Sequence, residues 1–199
     1  MYICDLYDSE LRFYYQRHSN NSKPVFTDQE IMTIYLFAGH CQKYFLVKDI
    51  HSFAKEYLLS WFPHLPSYKT FNYRLNLLAE AFAVLSQRLI EPFKPVDCDS
   101  MISLVDSMPV ITSAGRNRTG NVAPEITAKG YCSTKTQRNK AFNDLFSAAV
   151  SKIRQPIESL FNWLNEKTNI QRAMKVRSTS RLLVHTMGKI AIAFIYLIF

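Results

Sequence analysis

Residues 67–90, SYKTFNYRLNLLAEAFAVLSQRLI, decide how this 199-residue chain is read. Phe71, Leu75, Leu78, Phe82, Leu85 and Leu89 recur at alternating intervals of four and three, the period that lines one face of an α-helix. Ser67, just after Pro66, fits a helix cap. Pro92 and Pro95 stop the pattern, because proline lacks the amide hydrogen that a helix interior needs. Toward the N-terminus, FTDQEIMTIYLF (residues 26–37) sets Thr27 three residues before Glu30, the spacing of a capping box, ahead of Ile31, Ile34, Tyr35 and Phe37. Residues 47–60 place Val47, Ile50, Phe53, Ala54, Tyr57 and Leu58 at helical spacing. Residues 1–96 therefore read as an N-terminal helical bundle. Its cations Arg12, Arg17, Lys43 and Lys69 are spread along the sequence, and Tyr14, Tyr15, Phe71 and Tyr73 read as core and rim rather than as stacking platforms.

Beyond Asp97 the character changes. Met101 to Asp106 is a short β-favouring run closed by Pro109, residues 113–127 are a polar loop, and a second strand is expected around Tyr131 and Cys132. From about Lys140 the helical period returns: Phe142, Leu145, Phe146, Ala149, Val150 and Ile153 form one face, continued past Pro156 by Ile157, Leu160, Phe161 and Leu164. A last helix is expected from about Ser178. The fold class is mainly α with a small α/β part.

Composition and charge narrow the function classes. Five glycines, eight prolines and 48% hydrophobic residues describe a globular chain rather than a disordered or fibrous one. Asp5, Asp8 and Glu10 are wrong for the positive start of a secretory signal, and a cytoplasmic protein is expected. The apolar run at residues 190–199 is half the length that spans a bilayer (about 20 residues) and reads as a buried helix, so no membrane partner is expected. The four cysteines, Cys4, Cys41, Cys98 and Cys132, form no C-x-x-C pair and read as reduced, mostly buried residues. The net charge of +8 is unevenly divided: residues 1–113 hold ten Lys/Arg against twelve Asp/Glu, and residues 114–199 hold fourteen against four. Such asymmetry is the footprint of a polyanion-binding face. Lys175, Arg177 and Arg181, just before the last helix, are candidate phosphate contacts, whereas His185, set among Leu182, Leu183, Val184 and Met187, reads as a core or edge histidine.

Asp106 closes its strand-like run, and a carboxylate at a strand end can be held rigidly over a metal ion. Glu158 lies four residues after Arg154, so on one helix the two share a face; alternatively Pro156 begins a helix and Glu158 sits in its first turn. Three stretches, SLVDSMPV (residues 103–110), KGYCSTK (129–135) and RQPIESLFNWLNEKTNIQRAMKVRS (154–178), resemble successive blocks of DDE transposases of bacterial insertion sequences. FTDQEIMTIYLF resembles the helical N-terminal region of the same group. The resemblance implies a ribonuclease-H-like domain at residues 97–199 whose three acids bind two Mg²⁺ for DNA cleavage and strand transfer. It gives the first metal-ligand role to Asp106, the third to Glu158 and the accompanying basic role to Arg154. It also implies transposon-end DNA as partner, and a homo-oligomer is compatible with it.

The chain departs from that family at the second Asp. Only 52 positions separate Asp106 from Glu158, too few for the further strands and crossover helix of a ribonuclease-H-like core. The acids between them are Glu125, in the polar loop, and Asp144, on the approaching helix. An internal deletion near Thr136–Lys140, leaving a truncated domain, accounts for the shortfall. Two readings stand side by side: a metal-dependent transposase, and a non-catalytic DNA-binding remnant of one.

Overall fold

The computed structural model describes residues 2–14, 24–94, 143–173 and 176–198. They form seven α-helices: α1 (Tyr2–Ser9), α2 (Asp28–Gln42), α3 (Val47–Tyr57), α4 (Tyr68–Leu77), α5 (Ala79–Ile90), α6 (Asn143–Thr168) and α7 (Thr179–Ile198). Short 3-10 turns follow α1 and α5. No strand element occurs among the described residues, so what is described is mainly helical. The strands expected at residues 101–106 and around 131–132, and the ribonuclease-H-like core with them, lie outside the described residues.

Local signals in the sequence become geometry at the helix starts. Thr27 Oγ1 accepts the Glu30 N–H at 3.2 Å, and the Glu30 carboxylate accepts the Thr27 N–H, which completes the capping box of α2. Ser67 Oγ accepts the Thr70 N–H at 3.4 Å and starts α4, and Ser178 Oγ accepts the Arg181 N–H at 3.4 Å and starts α7. The stripe from Phe71 to Leu89 is buried along its whole length, but it belongs to two helices. At Leu78 the N–H reaches the Leu75 carbonyl three residues back, tightening the last turn of α4 before α5 begins.

The core gathers α1, α2, α3, α4, α5 and α7. Phe71, Phe82, Ile31, Ile34 and Leu85 are fully buried, and Val184, Ala191 and Ile192 of α7 belong to the same cluster. Among the described residues, α7 packs along α5 more extensively than any other helix pair meets, and it also touches α2, α4 and α6. Two glycines set its distance from α2. A Cβ on Gly39 would fall 2.3 Å from Ile192 Cδ1, and one on Gly188 would fall 2.7 Å from Tyr35 Cε1. Ser86 of α5 closes the other side, its hydroxyl within 2.7 Å of the Met187 carbonyl. Residues 179–198 are long and apolar enough to cross a membrane by length and composition. The helix is twice the ten-residue run noticed in the sequence because Leu182, Leu183, Val184 and Met187 extend its apolar face between charged positions.

Polar clamps add to the core. Arg74 of α4 meets Asp28, the first residue of α2, at 2.6 Å with both side chains nearly buried. Arg88 of α5 makes a two-pronged pair with Glu10, Nε and Nη2 each 2.8 Å from a carboxylate oxygen, and also reaches Glu91. The Arg88 hydrogen bonds hold the Glu10 carboxyl below its ordinary range. Neither clamp has a sequence signal, since the partners lie 46 and 78 residues apart.

Candidate nucleic-acid interface

Between α6 and α7, Asn169, Arg172 and Val176 line the same cleft as Lys43, Tyr44 and Phe45 between α2 and α3. Two side chains of α7 tie down the segment that follows α6. His185 Nε2 is 2.9 Å from the Ile170 carbonyl, and Lys189 Nζ donates to the Asn169 carbonyl at 3.0 Å. Burial, with the neighbouring Lys189 charge, pushes the His185 imidazole down to about 4, so at neutral pH the ring is uncharged and gives its Nε2 proton to Ile170. His185 is thus the satisfied edge histidine expected of it. Burial likewise pushes the Lys189 ammonium down to about 7. Lys189 is 1% exposed, and its Nζ also lies 5.0 Å from the centre of the Phe45 ring.

Above these two residues opens the cleft, of about 540 Å³. Its walls are two helices that each present one row of side chains four residues apart: Tyr68, Asn72 and Asn76 on α4, and Arg181, His185 and Lys189 on α7. Lys43, Tyr44, Phe45, Lys48, Asn169 and Arg172 complete the lining. The lining holds Lys43, Lys48, Arg172, Arg181 and Lys189 against a single acid, Asp49. Lys43, Lys48, Arg172 and Arg181 are exposed and accessible to a ligand. The two non-glycine residues with left-handed backbone among those described, Lys43 at φ 54° and Asn169 at φ 53°, both line this cleft. Each ends a helix in the conformation that frees the chain to turn, and asparagine tolerates it better than lysine.

The expected site residues separate as follows. Arg181 lines the cleft, and Arg177 is exposed just before α7. Lys175 and Asp106 lie outside the described residues, as does the side chain of Arg154, whose backbone belongs to α6. Glu158 is exposed in the middle of α6. Pro156 sits inside that helix instead of beginning it, so the first-turn reading of Glu158 is corrected: one helix runs through Asn143, Pro156 and Thr168. Asp144 and Glu158 stand fourteen residues apart on it, roughly 21 Å along the axis. No three His, Cys, Asp or Glu residues come together in metal-ligand fashion among the described residues. Cys41 corrects a smaller expectation: it is exposed, 3.5 Å from His40 Nδ1, while Cys4 is half-buried and Cys98 and Cys132 lie outside the described residues.

Sequence reasoning missed the cleft because its parts are far apart. Lys43 and Lys48 look scattered within an acidic half, and only folding sets them opposite Arg172 and Arg181. The available signal was the repeated interval of four in Tyr68-Asn72-Asn76 and Arg181-His185-Lys189, polar positions interrupting apolar faces. Comparison with protein-family models, with curated proteins and with solved structures finds no match to this chain.

Proposed function

We propose that this chain is a DDE-type insertion-sequence transposase whose helical bundle holds transposon-end DNA against its basic cleft. The observation that supports it is the convergence of four exposed Lys and Arg residues from both halves of the chain, with one acid among them, on a single concave surface. Phosphate backbones are bound by this arrangement, in which accessible Lys and Arg replace condensed counterions. Contact by Lys43, Lys48, Arg172 and Arg181 gives a slope of log K against log salt of about −3 to −4, and Arg181→Ala makes it shallower by about 0.9. Gel-shift titrations at several salt concentrations measure both; a binding constant indifferent to salt would remove the reading.

In the catalytic part of the proposal, water and then a DNA 3′-hydroxyl attack phosphodiesters. Asp106 and Glu158 are metal ligands in a ribonuclease-H-like fold at residues 97–199, with Mg²⁺ as cofactor. Arg154, Lys175 and Arg177 extend the phosphate contacts, and the protein works in the cytoplasm as a homo-oligomer on DNA. Among the described residues no group of three His, Cys, Asp or Glu assembles this ligand set. The assay is nicking of end-bearing DNA in Mg²⁺, abolished in Asp106→Ala.

The second reading, a non-catalytic DNA-binding remnant, is favoured by α6. That helix has already begun at Asn143, which leaves residues 107–142 for everything a ribonuclease-H-like core places between its first strand and this helix. On this reading DNA affinity is unchanged in Asp106→Ala and in Glu158→Ala, and Mg²⁺ adds no cleavage.

A further inference from the structure

We propose that the cleft between α4 and α7 is a site for one unstacked nucleotide, with the base inside and its phosphate at the basic rim. A surface that only follows a phosphate backbone needs exposed cations and nothing behind them. Here the cations rim a concavity of about 540 Å³, within the size range of roughly 300–1,000 Å³ typical of sites that enclose a small ligand. Its interior is built for a flat, polar-edged ring. Tyr68 is 42% exposed and Tyr44 37% exposed, and both line the cavity, offering aromatic faces on which any base can stack.

The amide pair on α4 supplies an edge. Asn76 Nδ2 donates both to the Asn72 backbone carbonyl and to Asn72 Oδ1, the latter at 3.3 Å. That consumes the Asn76 donors and leaves Asn76 Oδ1 as acceptor beside Asn72 Nδ2 as donor, the complement of a base edge carrying one of each. Opposite them, Lys189 gives one N–H to Asn169 and keeps at least one more, charged or neutral, at the floor for a ring carbonyl or a phosphate oxygen. The site depends on the DNA-binding reading only for the source of its nucleotide, which is either a base turned out of a duplex or a free mononucleotide.

The test uses the full chain and two probes. One is a duplex carrying a single extrahelical 2-aminopurine, compared with its fully paired counterpart; the other is dAMP alone, followed through the side-chain amide signals of asparagine by NMR. The extrahelical duplex is expected to bind about tenfold more tightly than the paired one, with a change in 2-aminopurine fluorescence. Asn72→Ala and, independently, Tyr68→Leu bring that ratio toward one. Equal binding of the two duplexes with no response to dAMP overturns the nucleotide site and leaves the DNA-binding reading intact. A dAMP response lost in Asn72→Ala, without duplex binding, upholds the site, assigns it a free nucleotide and removes the DNA reading. Silence from both probes overturns both.

Discussion

Helices α6 and α7 come from the same basic half of the chain, and both carry an apolar face at helical spacing, yet they meet very different fates. α7 is sunk into the bundle, where Leu182, Val184, Ala191, Ile192 and Ala193 are buried. Among the described side chains of α6, Leu164 packs with Ile170 and Ala193, while Leu160 remains 44% exposed. The difference lies in small residues. Gly188 lets α7 approach Tyr35 closely, whereas α6 carries the bulkier Phe161, Trp163 and Leu164 where it meets α7. Apolar periodicity makes a helix amphipathic; the size of the residues at the seam decides how deeply it can be seated.

The sharpest way to break this contrast is Ile192→Ala. Ile192 is 1% exposed in the seam, and truncation there is expected to cost about 2–5 kcal/mol by denaturant unfolding. Gly188→Ala comes next. Alanine favours a helix over glycine by about 1 kcal/mol, but its Cβ would sit 2.7 Å from a ring that cannot bend away, and such overpacking costs typically about 1–3 kcal/mol. The net is a loss of about 1 kcal/mol or more; a gain in stability would show that the seam is loose. Gly39→Ala, whose Cβ would fall 2.3 Å from the end of the buried Ile192 side chain, should also lose stability, by less than Gly188→Ala because a terminal methyl can shift where a ring cannot.

Lys189 adds a pH signature to α7. Its folded value of about 7 lies below the ordinary 10.5, so between those limits the unfolded chain holds more proton. Stability should therefore rise with pH across that window, by at most about 1.4 kcal/mol per unit, and Lys189→Met should flatten the rise in thermal melts from pH 7 to 10. The smallest effect belongs to α6: Leu160→Ala should change stability by no more than about 0.5 kcal/mol, and a larger loss would mean that α6 is seated as α7 is.

Much of the bundle was legible because its signals are local. Thr27 with Glu30, Ser67, Ser178 and the stripe from Phe71 to Leu89 each state a helix within a few residues of sequence. The break at Leu78 was not legible, since the stripe keeps its phase across it. Nor was the insertion of α7 between α2 and α5, because the glycines that permit it, Gly39 and Gly188, carry no period of their own. Of the site, Arg181 was found through its basic neighbourhood, while Lys43 and Lys48 were passed over because proximity across 130 residues leaves no mark in either segment.

The placement of α7 also sets the order in which the protein can be made. Tyr35, Phe82 and Ser86 emerge from the ribosome long before the helix that covers them, with more than a hundred residues between Ile90 and Ile198. At about 5–20 residues per second that interval lasts roughly 5–20 s. Through it the nascent bundle presents an open apolar trough to the cell, and a chaperone or a misplaced neighbour can reach it before its own last helix does.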